Sequence, residues 1–314
     1  MLAKLLSGPA LIDVDGFKID LGTLGGQNSW MNWGQINDRG QVVGISETDV
    51  LDPNGEDVCG FGTHRMCLPF LWQDFHMSAL PTLGGNNGQA SAINNRGQIA
   101  GTAETTVTDS GCPPHLISSP VLWEKGKPQL LPTVANDPDG LAFAINDRGQ
   151  AAGQSGNCSQ TILHAVSWTR GTAFPLPDFG TGAQAFGIND QDQIVGAVGS
   201  SDGTTQYPAL WQNRALTNLY TLPGDFAAEA RGINNRGQVV GSTFDSNFNW
   251  AHGFIWQDGV MTDLNTLFPA SSNLFATMAN KINERGQISG MAIVLSGPDA
   301  GNIHAFLATP VNQA

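Results

Sequence analysis

Apolar and polar positions along this chain alternate in short runs, and one run is written six times: an apolar residue, Asn, a short polar turn, Gln, two apolar or small residues, and Gly. It reads INDRGQVVG from Ile36, INNRGQIAG from Ile93, INDRGQAAG from Ile145, INDQDQIVG from Ile188, INNRGQVVG from Ile233 and INERGQISG from Ile282. The Asn falls at Asn37, Asn94, Asn146, Asn189, Asn234 and Asn283, at spacings of 57, 52, 43, 45 and 49 residues. Short runs bounded by Gly, Asn and Asp predict strands and tight turns, and no long helix-period segment interrupts them. A unit of this size cannot bury its apolar face alone, so neighbouring units must stack.

Each unit parses into four strands. The first is rich in small residues and ends at the repeat Asn, as in QASAIN to Asn94 and LAFAIN to Asn146. A tight turn follows, with Gly at its fourth place in five of six copies, as a turn needing positive φ requires. The second strand is QVVG-like, the third ends in Trp72, Trp123, Trp168, Trp211 or Trp256, and the fourth is typified by MTDL to Leu264. Four hairpin-linked strands per unit predict an all-β fold, a six-bladed β-propeller of four-stranded antiparallel blades. The small first strand suits the crowded axis, and the Trp suits the wider space between blades. The last unit runs to HAFLA at Ala308 without a fourth strand, whereas FKIDLGTL at 17–24 reads as a fourth strand without a blade. Pairing 17–21 with 303–307 is expected to complete blade six and close the ring, removing two open edges. The expected organisation is one domain over 1–314, with 1–16 an N-terminal extension and 17–24 the closing strand.

Composition narrows the function. Charged residues make up 13% of the chain and the net charge is −13. Five arginines (Arg39, Arg96, Arg148, Arg236, Arg285) sit in the repeat turn, so no basic cluster remains to replace the counterions of a nucleic acid. No apolar run is long enough for a membrane span. The N-terminal MLAKLLSGPALIDVDGF is too short and interrupted to read as a signal peptide.

DLGTLGG at 20–26, the IN-x-RGQ phrase and the HAF triplet at 304–306 together resemble the HAF-repeat family of bacterial exported proteins. The resemblance covers nearly the whole chain and implies a repeat and an exported location, not a reaction. The His of the third strand is present as His164, His252 and His304 but is Leu68, Ser119 or Tyr207 elsewhere. The diglycine of Gly25-Gly26 and Gly84-Gly85 is absent from later units.

The NDRG-type turns and the third-to-fourth turns are short and alike. The second-to-third connections (46–68, 102–119, 154–163, 197–207, 242–252 and 291–303) are long and unlike one another, and variable loops on a regular scaffold are where function concentrates. All four cysteines fall in the first three. Cys59–Cys67 and Cys112–Cys158 are the expected disulfides, which fit an extracellular or periplasmic protein. A metal site is the weaker reading, because no C-x-x-C pair is present.

Candidates for chemistry come from departures from the repeat. Blade five alone places a carboxylate and a guanidinium, Glu229 and Arg231, on its innermost strand, with Asp225 just upstream. These are the candidate catalytic residues of a channel-mouth site; the competing reading is an ion pair lining a wet channel. Aromatic and acidic residues of the loops (Trp30, Trp33, Trp250, Phe248 and Asp245) and His252 are candidates for binding a sugar ring. Acids at Asp49, Asp52, Glu56, Asp57, Glu104, Asp109 and Asp202 could form a glycosidase pair, and His64 and His115 lie free of the repeat. Asn-Asp-x-Gly turns resemble half of a calcium loop, which leaves calcium as the one cofactor in view, although the same residues satisfy their own turn backbone. No nucleophile elbow, HExxH, P-loop or dinucleotide fingerprint is present. The sequence therefore favours an extracellular recognition module for a neutral or cationic ligand, carbohydrate first. The alternative is a secreted hydrolase or lyase on a glycoside or ester, sited at the channel mouth.

Overall fold

The structure, a computed structural model, describes residues 11–14, 17–31 and 36–310. The chain divides into two compact units, Met1–Phe174 and Pro175–Ala314. The first unit carries three antiparallel meanders: Gly25–Trp30, Val42–Leu51, Arg65–Gln73, His76–Ala79; then Gly84–Ile93, Ile99–Thr108, Leu116–Glu124, Lys127–Leu130; then Asp139–Ile145, Ala151–Gly156, Leu163–Thr169, Thr172–Pro175, whose last residue opens the second unit. The second unit repeats the plan with Ala183–Ile188, Ile194–Gly199, Gln206–Gln212, Ala215–Asn218; then Ala227–Ile233, Val239–Phe244, Trp250–Gln257, Val260–Asp263; and finally the three strands Leu274–Ile282, Ile288–Val294 and Ile303–Ala308. Phe17–Asp20, expected to pair with 303–307, is instead hydrogen-bonded to Leu11–Val14 in a two-stranded hairpin.

The repeated phrase explains itself in atoms. Asn94 Oδ1 accepts from the backbone N–H groups of Arg96 and Gln98, so the side chain holds its own turn. Its Nδ2 donates to Gln98 Oε1 and, 2.9 Å away, to the Asn146 carbonyl of the next sheet. Asn37 reaches the Asn94 carbonyl in the same way, at 3.0 Å. In the second unit Asn189 reaches Asn234 and Asn234 reaches Asn283. The following residue adds a second tie, as Asn95 accepts from Asp38 N–H while its amide donates to the Asp38 and Asp147 carboxylates. The fourth turn place has positive φ throughout, and where Gly is missing, Asp192 adopts φ 62°.

The closing Gly has a separate cause. In five sheets the first strand carries a bulge near its end, for example between Ala142 and Ala144 and between Ala230 and Gly232. A bulge locally bends the strand, and here the first-strand carbonyl three residues before the bulge's end crowds the second strand. A Cβ on Gly153 would lie 2.0 Å from the Leu141 oxygen, and one on Gly241 2.0 Å from the Glu229 oxygen. Between sheets the core fills with one apolar layer, such as Val43, Leu80, Ala90, Ile99, Val121 and Trp123. The third-strand tryptophans Trp123, Trp168 and Trp211 are buried as expected, and their indoles donate to linker carbonyls at Pro81, Pro132 and Pro177.

The second strands of the first two sheets run further than expected, to Leu51 and Thr108, so 46–51 and 102–108 are strand rather than loop. The reason is a buried glutamate in each, Glu47 and Glu104, which ties the strand extension to the first strand. Two outcomes test the repeat contacts by denaturant unfolding. Asn94→Asp keeps the turn acceptor but puts an oxygen against the Asn146 carbonyl, and should cost about 1–3 kcal/mol. Gly241→Ala drives Cβ into backbone and should cost about 3 kcal/mol or more, while Gly259→Ala at an open turn should cost less.

Candidate active site

The TLGG motif of the first two sheets is a socket for glutamate. Thr23 and Thr82 hydroxyls donate to the Gly26 and Gly85 carbonyls and shape the strand entry. A Cβ on Gly26 or Gly85 would lie 2.4 or 2.5 Å from the Glu47 or Glu104 Cβ, so only glycine leaves room. Glu47 is held by Asn28, whose backbone and side-chain amides both donate to Oε2, and by the Thr63 hydroxyl. Glu104 accepts from the Asn86 and Asn87 backbone N–H groups and from the Asn87 side chain. Later units lack the diglycine because they lack the glutamate: the equivalent places are Gly156, Gly199, Phe244 and Ile293.

Glu104 then borders a cavity of about 300 Å³ in the first unit, at the loop ends of its sheets. One wall comes from the first-sheet loop, with Glu56 and Val58; another from the second sheet, with Asn87, Gln89, Thr102, Glu104, His115 and Ser118. The third sheet contributes Asp139, Leu141, Gln154, Asn157, Gln160 and Leu163. Cys112 and Cys158 also line it and form the expected disulfide between neighbouring loops; Cys59–Cys67, the other expected pair, closes within one loop. Asn87 ties the walls together, donating to Asp52 Oδ2 at 2.8 Å and to Glu104 Oε1 at 3.0 Å.

Its electrostatics are one-sided. Among the described residues no Lys or Arg lines the cavity, and the one basic side chain there is His115, whose Nδ1 is bonded to Glu56 Oε1. Glu56 is 6% exposed, and its second oxygen is buried with no hydrogen-bond partner among the described residues. Asp139 accepts from the Ser118 backbone N–H at 2.8 Å. Burial, followed by the neighbouring Asp109 carboxyl, pushes Asp139 up to about 6 against the pull of that hydrogen bond and of His115. The Oδ2 atoms of Asp109 and Asp139 are both buried and have no hydrogen-bond donor among the described residues. Asp109 is buried as a whole, and its Oδ1 accepts from the Gly111 N–H. Burial raises Glu104 as well, with the Glu56 charge adding to the rise and the Asn87 hydrogen bonds opposing it. The cavity thus holds carboxyls of raised proton affinity beside the Glu56–His115 pair, the components of acid–base chemistry.

The residues singled out from sequence fall elsewhere. Glu229 and Arg231 are buried and bonded to each other, Arg231 through Nε and Nη2 to Glu229 Oε1. Burial pushes the Glu229 carboxyl up and the Arg231 guanidinium down, and their mutual attraction opposes both. Asp225 is engaged separately, with the Thr243 hydroxyl and with His252 Nδ1 at 2.9 Å. The same trio recurs in the third sheet as Asp137, Ser155 and His164, with the His again 27 residues after the Asp. That recurrence marks a device fixing linker to third strand. Trp250 sits 4.5 Å from the Phe244 ring, and the Arg231 guanidinium lies 4.9 Å over it. Phe248 is exposed and packs edge-on against Phe226. Asp245 caps its own turn through Asn247 and Asn249, and the Asn249 side chain holds its carboxyl low. Trp30 packs on Ile45 and the Cys59–Cys67 bridge; Trp33 lies outside the described residues.

Glu56, Glu104, Asp109 and His115 are legible in the sequence as loop acids and a loop histidine; Asp139, Asn87 and Gln89 are not, because they lie on first strands that read as framework. Among the described residues, one set of three acidic or sulfur donors is close enough to hold a metal, Asp109 with Cys112 and Cys158, and its sulfurs are joined in the disulfide. The turn aspartates and asparagines expected to offer a calcium loop are engaged in turn and inter-sheet bonds.

No family model matches the chain, and no curated relative matches it. Solved structures do. The β-propeller domain of the trilobed protease from Pyrococcus furiosus, which has an open velcro topology, aligns with a TM-score of 0.53 at 8% identity, over 92% of this chain and 86% of that one. The acylaminoacyl peptidase of Pyrococcus horikoshii aligns with a TM-score of 0.51 at 8% identity, over 94% of this chain but 46% of the peptidase. The fold is a β-propeller, and the six meanders are its blades.

The raised Asp139 makes a stability prediction. A carboxyl whose folded pKa lies above its unfolded value loses stability as pH climbs from about 4 to about 6, because the folded state binds the proton more tightly. Asp139→Asn removes that loss. Relative to the unaltered protein it should gain about 1 kcal/mol at pH 8, a figure discounted for the group's partial exposure, and gain little at pH 4. Melting curves at the two pH values check it.

Proposed function

We propose that this chain is an exported β-propeller hydrolase or lyase whose acid–base site is the acidic cavity of the first unit. The observation that carries the reading is a cavity in which Asp139 holds a proton up to about pH 6, with a Glu56–His115 pair on another wall. In this reading Asp139 is the acid: its proton passes to the leaving-group oxygen as the scissile bond breaks. The Glu56–His115 pair is the base that takes a proton from the attacking water, or from the substrate carbon in a lyase. Asp109 is the neighbouring carboxyl that helps to raise Asp139, and the Asn87 amide holds Glu104 in its socket.

A glycoside is the substrate class that the walls favour. Gln89, Asn157, Gln160, Thr102 and Ser118 offer amide and hydroxyl groups suited to sugar hydroxyls, and Leu116, Leu141 and Leu163 offer apolar surface for a ring face. A lining without Lys or Arg among the described residues disfavours phosphorylated or carboxylated substrates. The two solved propellers both belong to peptidases, which supports a place for such a module in hydrolytic proteins. Two disulfides support export. Membership of the exported HAF-repeat group belongs to the same proposal.

The test is product release from varied polysaccharides and glycosides, followed by mass spectrometry. Release should fall at least ~100-fold in Asp139→Asn and in Glu56→Gln, consistent with loss of a general acid or base, and its rate should decline as pH rises above about 6. Retention of a polysaccharide without any product would replace this reading with the recognition module, in the same cavity.

A further inference from the structure

The cavity carries an uncompensated charge whose chemistry names a ligand group. Glu56 is folded inward from a loop: its backbone N–H is fixed by Asp52 Oδ1 at 3.1 Å, and Asp52 also anchors Asn54 N–H and the Asn87 amide. One carboxylate oxygen is spent on His115. The other is buried and has no protein donor among the described residues, on a side chain that lines the cavity and is only 6% exposed. Glu104 stands near enough to feel the Glu56 charge. Its oxygens are already filled by Asn86 and Asn87, so it cannot supply a donor. A buried carboxylate oxygen is costly unless it is paired, and the described lining offers no Lys or Arg to pair with it.

We infer that this corner of the cavity is a subsite for a primary ammonium group carried by the substrate, with Glu56 Oε2 as its main acceptor and the Glu104 carboxyl beside it. The inference rests on the cavity being the working site. An ammonium brings three donors and a positive charge on a compact head, which matches one free carboxylate oxygen flanked by a second carboxyl. A guanidinium seeks a bidentate carboxylate, and Glu56 has only one oxygen to offer. The same head group occurs on an amino sugar and at the amino terminus of a peptide, and the two differ in what surrounds it.

The experiment compares matched probes by calorimetry and by chemical-shift titration at about pH 7.5, below the usual range of an amine: glucosamine against glucose, and alanine amide against N-acetylalanine amide. The ammonium member of at least one pair should bind about ten-fold or more tightly than its neutral partner, the scale of a charge-assisted contact, and the pair that discriminates identifies the source. Glu56→Gln should abolish the preference, whereas Asp245→Asn, which removes an exposed acid from the other unit, should leave it intact. Equal affinity within both pairs in the unaltered protein would overturn the inference whatever the variants do, as would a preference that survives in folded Glu56→Gln. Release of products from neutral glycosides without any ammonium preference would leave the hydrolase reading standing and remove this subsite. Ammonium binding without product release from any substrate would do the reverse.

Discussion

The bond on which the rest of this structure depends runs from the side-chain amides of Asn37, Asn94, Asn189 and Asn234 to the backbone carbonyl of the repeat asparagine one blade on. It does two jobs with one residue: the oxygen closes the turn of its own blade and the nitrogen holds the next. Aspartate would lose the donor, and glutamine would move both atoms one methylene away. The donors and acceptors are nearly out of water, with Asn94 4% and Asn234 2% exposed, so each bond replaces what would otherwise be an unsatisfied buried group. Through these ties the short-turn end of each unit is fixed blade to blade, and the opposite end is left free to vary.

At that opposite end the blades use two ways to fix the chain. The first two seat a glutamate in a TLGG socket and hold it with asparagine amides. The third and fifth use an aspartate of the linker, a hydroxyl of the second strand and the histidine of the third. The second device is self-contained, with its charges paired. The first brings carboxylates close to one another, and in the first unit the loop of 52–58 adds Asp52 and Glu56 to the same neighbourhood. The accumulation of carboxyls in one cavity is therefore a by-product of how two adjacent blades are built, and burial, with the neighbouring charges adding to it, raises proton affinity there.

Buried charge has a different fate in the second unit. Glu229 and Arg231 sit two residues apart on one strand and are bonded to each other, so they neutralise each other. Lys281, on the next blade, has its ammonium lowered to about 8 by burial and then by the Arg231 charge. Here the buried carboxyl is paired with a guanidinium, whereas no Lys or Arg lines the first-unit cavity among the described residues. That contrast is why the proposed site lies among the first three blades.

The repeat, its strands, its turns and both disulfides are legible in the sequence, because each depends on contacts within a few residues or on a pattern that recurs. The period of the phrase marks the blades; alternation marks the strands; the fourth-place glycine marks positive φ; and cysteines confined to neighbouring loops mark the bridges. The acids of the site are visible one at a time, as Glu56, Glu104 and Asp109, but nothing local joins them to one another or to Asp139. Their meeting is set by the inter-blade bonds, which bring residues 35 positions apart, such as Asp52 and Asn87, to 2.8 Å. Likewise Glu229 and Arg231 are plain in the sequence as opposite charges, yet only packing decides that they satisfy each other. What each blade is made of is written locally along the chain. Which charges end up compensated depends on burial and on neighbours from other blades, and those exist only once the chain has folded.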